Sequence, residues 1–274
     1  MKFDMSRAWN EAMAILRANG GLMAVIAGLF VFLPNLAMTM LAPATMSGPP
    51  MEGDETPEQM LEIMGGFYGE VGPWMLALSI IGLIGSLAMY ALVTTARPTV
   101  GEALKTGLLA FVPAILAQIL MGVAVGVVGA VLIGLPFVIG LPALAVLTIP
   151  IFAVLLIYII VKLTLTSPVI VIEGVRNPIA ALQRSWRLTK GNSLRLFGFY
   201  FILLICIFVV MAVFAMFSSL FIALLGEDTA GLLVAGILNG VISAAFAVLG
   251  VGILSAVHRQ LAGPTPQTVS ETFA

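Results

Sequence analysis

Five long stretches of the chain contain no charged residue, and they constrain the fold more than any other feature. They cover residues 18–51, 71–96, 106–161, 196–226 and 229–257. A helix needs about 20 apolar residues to cross the hydrocarbon core of a bilayer. Four stretches are therefore long enough for one crossing each. The stretch 106–161 is long enough for two crossings, with a turn between Gly134 and Pro142.

The composition excludes the main soluble classes of protein. Only 9% of the 274 residues are charged, 61% are hydrophobic, and the mean hydropathy is +1.16. A soluble domain uses charged side chains at about a quarter of its positions to cover its surface. We therefore exclude a soluble enzyme, a nucleic-acid-binding protein and a disordered scaffold. The single Cys206 cannot form an internal disulfide.

The signs of the charges between these stretches predict how the helices are oriented. Short cytoplasmic loops concentrate Lys and Arg. All 12 basic residues can be placed on one side of the membrane, together with both termini, and we predict that this side is the cytoplasm. The acidic residues predicted on the other side are Glu52, Asp54, Glu55, Glu58, Glu62, Glu70, Glu227 and Asp228.

We predict an all-α polytopic integral membrane protein with about six transmembrane helices in three hairpins. One transmembrane domain covers residues 1–262, with spans at about 20–42, 72–95, 107–133, 142–166, 196–225 and 230–256. Residues 263–274 are polar and are predicted to form a disordered cytoplasmic tail. In the loop after the first span, Thr56 and Pro57 predict a short helix over 56–65, because Thr is a good N-cap and Pro suits the first helical position.

Each hairpin begins with a cytoplasmic segment whose apolar residues recur at helical spacing. These segments cover residues 5–17, 100–105 and 178–190. The pattern predicts short amphipathic helices and favours a threefold repeat of interfacial helix plus hairpin. Ordinary cytoplasmic linkers of a membrane protein would give a similar pattern, so both interpretations stay open.

Small residues at a spacing of four predict where helices approach each other closely. Gly122 and Gly126 form one such pair, and Gly236, Gly240 and Ala244 form a second set. The fifth span is rich in Phe and is predicted to face lipid or to wedge between its neighbours. Pro residues inside the third and fourth spans predict kinks; they are Pro113 and Pro150.

Side chains that could carry out catalysis or bind a metal are scarce. His258 is the only His of the chain, and beside Arg259 at the end of the last span it is predicted to be an interfacial cap. The sequence has no metal-binding spacing of His, Cys, Asp or Glu, no Gly-rich phosphate loop and no GxSxG elbow. We therefore predict that the protein is not an enzyme and uses no cofactor or metal.

Transport is harder to exclude. The predicted spans contain no Asp, Glu, His or Arg, which ion-coupled transporters usually place inside the bilayer. Lys162 lies near the inner end of the fourth span and is expected to snorkel to the interface. Asn35, Gln118 and Asn239 are the main polar residues at depth, and we expect such amides to bond between helices rather than to line a pathway. A permease or channel for a small solute stays the alternative function.

The segment after the fourth span is the best candidate for a binding site. Asn177 and Pro178 predict the start of an amphipathic helix over 178–190, and Gly191 predicts its end. Five basic residues fall between 176 and 195, with no acidic residue after Glu173. At a membrane surface, each basic residue gains about 1 kcal/mol from anionic lipid.

This basic region predicts a surface that binds anionic phospholipid or a partner protein. In the sharper form of the hypothesis, Arg184 and Arg187 bind a phosphate headgroup and Glu173 holds one of them in place. Simple anchoring by the positive charges is the other interpretation. The candidate binding residues are Glu173, Arg176, Arg184, Trp186, Arg187, Lys190 and Arg195.

The same region carries a family resemblance. Glu173-Gly174, followed by Ala-Leu-Gln-Arg-Ser-Trp-Arg-Leu-Thr-Lys-Gly over 181–191, resembles a motif of the glycerophosphoryl diester phosphodiesterase membrane domain and of related stand-alone bacterial membrane proteins. The resemblance covers about 20 residues. In that family, the phosphodiesterase activity belongs to a separate soluble barrel, which this sequence lacks.

The resemblance implies a non-catalytic module in a bacterial cytoplasmic (inner) membrane, associated with glycerophospholipid handling. The expected partners are membrane lipids, a partner protein or a second copy of the chain, and nucleic acid is not expected.

Overall fold

The chain forms an all-α multi-pass membrane protein. The computed structural model describes residues 2–41, 49, 53, 56–94, 98–226 and 229–263, and these residues form helices, turns and bends without any strand. Six helical segments are long and apolar enough to cross a membrane: Met5–Leu41, Glu58–Leu92, Val100–Val138, Ala145–Ile172, Ser193–Leu225 and Ala230–Ala262. The prediction of six helices long and apolar enough to cross a membrane is thus confirmed. Of the predicted tail, residues 263–274, only Gly263 is described, and the rest lies outside the described residues.

We number the α-helices in chain order. They are α1 (Met5–Ala27), α2 (Leu33–Leu41), α3 (Pro57–Leu92), α4 (Val100–Gly129), α5 (Leu135–Val138), α6 (Ala145–Leu163), α7 (Thr166–Ile172), α8 (Pro178–Thr189), α9 (Ser193–Leu225) and α10 (Thr229–Ala262). A π-helical segment, Gly28–Phe32, joins α1 to α2, and another, Ala130–Gly134, joins α4 to α5. The turn between the third and fourth spans includes Gly140, which has a φ of 72°.

Each π-helical segment ends two residues before a proline, Pro34 or Pro136. Proline has no amide hydrogen, and its ring collides with the carbonyl four residues earlier in an α-helix. That carbonyl belongs to Phe30 or Leu132, inside the π-helical segment, where the wider turn gives the ring room. The first and third spans therefore continue past their prolines.

The short helix predicted over 56–65 is correct at its start and wrong at its end. Thr56 and Gln59 form a capping box, and α3 then continues without a break to Leu92. Gly65 and Pro73 lower the helix propensity within this stretch, but neither ends the helix. The second span is therefore longer than predicted from hydropathy.

The prediction of three separate amphipathic helices is also wrong. Segments 5–17 and 100–105 are the first turns of α1 and α4, which run directly into the membrane spans. The third segment forms the separate helix α8, because the chain leaves the helix at Lys190 and Gly191 takes a φ of 83°. The hypothesis of a threefold repeat therefore loses two of its three interfacial helices.

The tightest packing lies at one end of the bundle, which we call the basic end. It comprises the starts of α1 and α4, the ends of α3, α6 and α10, and all of α7 and α8. There α3 packs on α4 and α1 packs on α10. The face of α4 toward α3 consists of small buried residues at spacings of three and four, namely Ala103, Gly107, Ala110, Ala114 and Ala117. A Cβ at Gly107 would lie 2.9 Å from the backbone N of Ala88.

The predicted close approaches are confirmed for one set of small residues and wrong for the other. A Cβ on Gly236 would lie 2.8 Å from Leu36, and one on Gly240 would lie 2.7 Å from Phe32, so α10 packs closely on the first span. A Cβ on Gly122 or Gly126 would meet no atom of another described helix within 4 Å. Sequence spacing alone does not say which small residues have a helix beside them.

The face of α9 is mostly open, as its Phe content predicts. Phe208 is 73% exposed, whereas Phe199, nearer the basic end, is buried and packs edge-on against Phe3. The half of α6 that lies away from the basic end is similarly exposed, with Val146 at 73% and Val154 at 69%. In a membrane-spanning protein, these surfaces face lipid or another protein.

Candidate functional site: a polar network at the basic end

Helix α8 forms where the sequence predicts it. The side chain of Asn177 accepts hydrogen bonds from the amides of Ile179 and Ala180, and Pro178 occupies the first helical position. Gly174, with a φ of 70°, makes the turn before it. The helix is thus held between two turns, at Gly174 and at Gly191.

The buried face of α8 covers the end of α6. Because α6 ends at Leu163, the carbonyl of Lys162 has no helical partner of its own. It accepts hydrogen bonds from Ser185 Oγ at 2.9 Å and from Thr189 Oγ1 at 3.3 Å. Both hydroxyls are fully buried, so this contact fixes α8 on α6.

Lys162 does not snorkel to solvent, so that prediction is wrong. The residue is 3% exposed, and its Nζ lies 5.4 Å from the ring centroids of both Tyr158 and Trp186. The two rings meet edge-on, with their centroids 5.7 Å apart. An ammonium in this position is stabilised by the negative faces of the rings. Trp186, one of the predicted site residues, therefore shields a buried charge.

Glu173 is the centre of the network. Its Oε2 accepts a hydrogen bond from Arg184 Nε at 2.8 Å, and its Oε1 lies 2.9 Å from His258 Nε2. The Glu173 side chain is 20% exposed and that of His258 only 4%. One carboxylate thus joins the turn after α7 to α8 and to the end of α10. The predicted role of Glu173, to hold an arginine in place, falls on Arg184.

The environment of Glu173 strongly favours its charged form. Burial by itself raises the pKa of the carboxyl, but the hydrogen bonds and charges of His258 and Arg184 outweigh burial. The pKa of Glu173 therefore falls from 4.5 to about 2. The network holds a carboxylate at neutral pH.

Arg176 forms a hydrogen bond to a backbone carbonyl that Pro113 leaves without its usual helical partner. Its Nη1 donates a hydrogen bond of 2.7 Å to the carbonyl of Leu109 in α4. In a regular helix that carbonyl would accept from the amide of residue 113, which is Pro113 and has no amide hydrogen. The proline thus leaves an acceptor open on α4, and Arg176 occupies it. Helix α4 itself continues past Pro113, as α6 does past Pro150.

The remaining basic residues of the predicted site are exposed. Arg187, Lys190 and Arg195 form no ion pair with any residue that the structure describes. Beneath Arg187 lies a cavity of about 440 Å³, which is lined by Leu163, Leu182, Gln183, Trp186 and Arg187. Apart from Trp186, the predicted residues therefore fall into two groups: Glu173, Arg176 and Arg184 are bound to other parts of the protein, whereas Arg187, Lys190 and Arg195 are exposed and open to a ligand.

A second apolar cavity lies beside the first, between α6 and α9. It has a volume of about 420 Å³ and is lined mainly by Val154, Ile157, Tyr158, Leu194 and Phe197. Tyr158 in this cavity contacts Trp186, which lines the first one. An apolar surface thus follows α6 from Arg187 toward the opposite end of the bundle.

The predicted role of His258 as an interfacial cap is also wrong. The residue is buried and contacts Glu173, whereas an interfacial cap would be exposed. Its Nδ1 is buried, with no hydrogen-bond partner among the described residues. Glu173 and His258 are 85 positions apart. The one available signal was that both follow apolar stretches that end on the same predicted side of the membrane.

The amides at depth do not connect helices as expected. Asn35 and Asn239 donate to the carbonyls four residues earlier in their own helices, at 2.8 Å and 2.9 Å. Gln118 lines a groove between α3 and α4, together with Ser79. The described residues contain no group of three or more His, Cys, Asp or Glu side chains that could hold a metal ion.

Comparison with known families gives a family without an assigned function. The chain belongs to the family described as a domain of unknown function, DUF7847, whose model matches residues 4–264. No curated protein and no solved structure shows significant similarity to the chain. The family description carries no activity, so the resemblance of residues 173–191 to the phosphodiesterase membrane domain stays a prediction.

Proposed function

We propose that the protein is a non-catalytic membrane module that binds anionic phospholipid at α8. One observation carries this proposal: Arg187 and Lys190 are exposed on α8 beside an apolar cavity, whereas Arg184 is already paired with Glu173. A phosphate headgroup needs cations that have no other partner. An acyl chain needs an apolar surface that continues into the bilayer, and α6 offers one.

In this function, Arg187 and Lys190 contact the phosphate and Arg195 adds positive charge at the start of α9. Glu173 and Arg184 act indirectly, because they fix α8 against α10. Trp186 closes the cavity over Lys162, and Arg176 ties the turn before α8 to α4. The resemblance of this region to a family associated with glycerophospholipids supports the same lipid class.

The positive-inside bias supports a cytoplasmic position for the basic end. The family resemblance supports a bacterial inner membrane. In a Cys206→Ser background, a cysteine introduced at exposed Gln183 is expected to resist labelling by an impermeant reagent added outside intact cells. The cysteine should react with the reagent once the membrane is permeabilised. Labelling from outside would reverse the proposed orientation.

The experiment that tests the lipid function is native mass spectrometry of the intact protein, extracted from membranes that contain phosphatidylglycerol and phosphatidylcholine. We expect one anionic lipid to stay bound to the wild type and to be lost from Arg187→Gln/Lys190→Gln. The matched control is Arg17→Gln/Lys105→Gln, which removes two basic residues elsewhere at the basic end.

If the α8 variant keeps its phosphatidylglycerol, or if the control loses it equally, the basic residues of α8 serve only as an anchor. Solute flux through liposomes that is abolished by Gln118→Ala would instead favour a permease, because Gln118 and Ser79 are the polar side chains that line the groove between α3 and α4.

A further inference from the structure

A third cavity, also at the basic end, has a different charge pattern from the cavity beneath Arg187. It has a volume of about 680 Å³ and lies between α1, the end of α3 and the end of α10. Its lining includes Glu11, Asn19, Leu22, Thr94 and Arg259. Among the described residues, the lining thus contains one acidic and one basic side chain together with apolar side chains.

Arg259 is held in place by the end of α3. Its Nη2 donates a hydrogen bond to the carbonyl of Val93, which follows the last residue of α3. A guanidinium has five N–H donors, so most of its donors stay available. Arg259 forms no ion pair with any residue in the described part of the chain.

Glu11 is half-buried on α1 and likewise has no ion-pair partner within the described ranges. Glu11 and Arg259 therefore line one cavity without pairing with each other. Asn19 stands on the same helix; its Nδ2 donates to the carbonyl of Ile15, so its Oδ1 is available as an acceptor.

An apolar stripe leads away from this cavity along the outside of α1 and α2. Leu22, Val25, Leu29 and Leu33 are between 43% and 51% exposed. Their spacings of three and four place them on one face of the helix. From Leu22 to Leu33 the helix rises about 16 Å, which matches one leaflet of a hydrocarbon core about 30 Å thick.

We propose that this cavity binds a zwitterionic phospholipid with a primary ammonium, such as phosphatidylethanolamine. The phosphate contacts Arg259, the ammonium donates to Glu11 and to Asn19, and an acyl chain lies on the stripe that begins at Leu22. An anionic lipid would bring Glu11 no cation, and the described residues supply none as an ion-pair partner. A choline headgroup has no N–H to donate to the carboxylate.

The test is native mass spectrometry of the intact protein, extracted from membranes with equal phosphatidylethanolamine, phosphatidylcholine and phosphatidylglycerol. The wild type should retain phosphatidylethanolamine in preference to phosphatidylcholine. Glu11→Gln should lower that preference about tenfold, because a charge-assisted hydrogen bond is lost. Glu70→Gln, an exposed acidic residue on α3 far from the cavity, is the matched control and should leave the preference unchanged.

Arg259→Gln should lose the lipid, and Arg259→Lys should keep most of it, since an ammonium still reaches a phosphate. If Arg259→Gln fails to fold, Glu11→Gln and Arg259→Lys still test whether the cavity binds phosphatidylethanolamine. Equal retention of phosphatidylethanolamine and phosphatidylcholine by the wild type would overturn the proposal, as would an unchanged preference in Glu11→Gln.

Two further results separate this site from alternatives. The Arg187→Gln/Lys190→Gln variant should lose phosphatidylglycerol and keep phosphatidylethanolamine, so the two lipid proposals can fail independently. Glycerophosphoethanolamine, the headgroup without acyl chains, should displace the lipid only at large excess. Displacement at equal concentration would assign the cavity to a water-soluble zwitterion and overturn the lipid assignment.

Discussion

The two halves of α4 contain similar residues but pack differently. In the half at the basic end, Gly107 lies directly against the backbone of α3. In the other half, Gly122 and Gly126 have no described neighbour, and Val123 and Val127 are 60% and 59% exposed. Lipid tails are as apolar as leucine, so apolar helices gain no hydrophobic energy by meeting in a bilayer. Helices stay together where backbones approach closely and polar groups connect them.

The connecting polar groups are concentrated at the basic end. Open carbonyls at Lys162, Val93 and Leu109 each accept a side chain from a distant part of the chain. The Phe3 amide donates to Asn192 Oδ1 at 2.8 Å, which ties the N-terminal segment to the start of α9. We therefore expect stability to depend on this end, and substitutions in the two halves of the bundle can test that expectation.

The largest effect is expected at Gly107. Gly107→Val should destabilise the protein by about 3 kcal/mol, because its side chain meets backbone of α3 that moves only if the helices separate. Gly122→Val, on the open half of α4, should change stability by less than about 1 kcal/mol. The measurement is unfolding of the purified proteins in detergent micelles. Equal losses in both variants would contradict the difference between the two halves.

The second-largest loss of stability is expected from a substitution of Glu173. Glu173→Gln keeps the size of the side chain but removes the charge that faces Arg184 and His258. The loss should be about 2 kcal/mol, since hydrogen bonds to a charged group are lost and two partners are left uncompensated. Glu62→Gln, an exposed acidic residue on α3, should cost nothing measurable in the same unfolding assay. A stable Glu173→Gln would show that the network does not hold the basic end together.

The lowered pKa of Glu173 predicts that the stability of the fold depends on pH. The pKa of Glu173 is about 2 in the folded protein and 4.5 as its ordinary value. A lowered pKa means that the carboxylate stabilises the fold above pH 4.5 and that this stabilisation is lost as the pH falls toward about 2. The stability difference between wild type and Glu173→Gln should therefore shrink across this window. A difference that stays constant down to about pH 2 would exclude the carboxylate as its cause.

The smallest effect is expected at Ser185. Ser185→Ala removes the shorter of the two side-chain hydrogen bonds to the Lys162 carbonyl and should cost about 1 kcal/mol, because Thr189 keeps its own bond. Ser79→Ala is the control: Ser79 is exposed and donates to the Met75 carbonyl within α3. A cost at Ser79 equal to that at Ser185 would remove the distinction between buried and exposed hydroxyls.

Parts of the candidate site could be predicted because their signals are local. Asn177, Pro178 and Gly191 define α8 by backbone preferences that act within a few residues. The exposed positions of Arg187 and Lys190 follow from the helical period once α8 is placed. The pairing of Glu173 with an arginine was predicted as well, although the structure was needed to choose Arg184.

Other parts could not be predicted because they depend on contacts between distant segments. Pro113 shows in the sequence that a carbonyl on α4 lacks a partner, but nothing in the sequence names Arg176 as the donor. The burial of His258 depends on where α10 ends relative to Glu173. Arg259 and Glu11 share a cavity only because α1 packs on α10.

The sequence by itself determines the six spans, because a helix in a bilayer must satisfy its backbone hydrogen bonds internally and therefore depends on local residues. It also determines that the basic residues can lie on one side. The tertiary structure decides which small residues touch a neighbour and which carbonyls receive a side chain. These contacts arise from the fit between helix surfaces, and similar apolar residues serve equally well against lipid or against another helix.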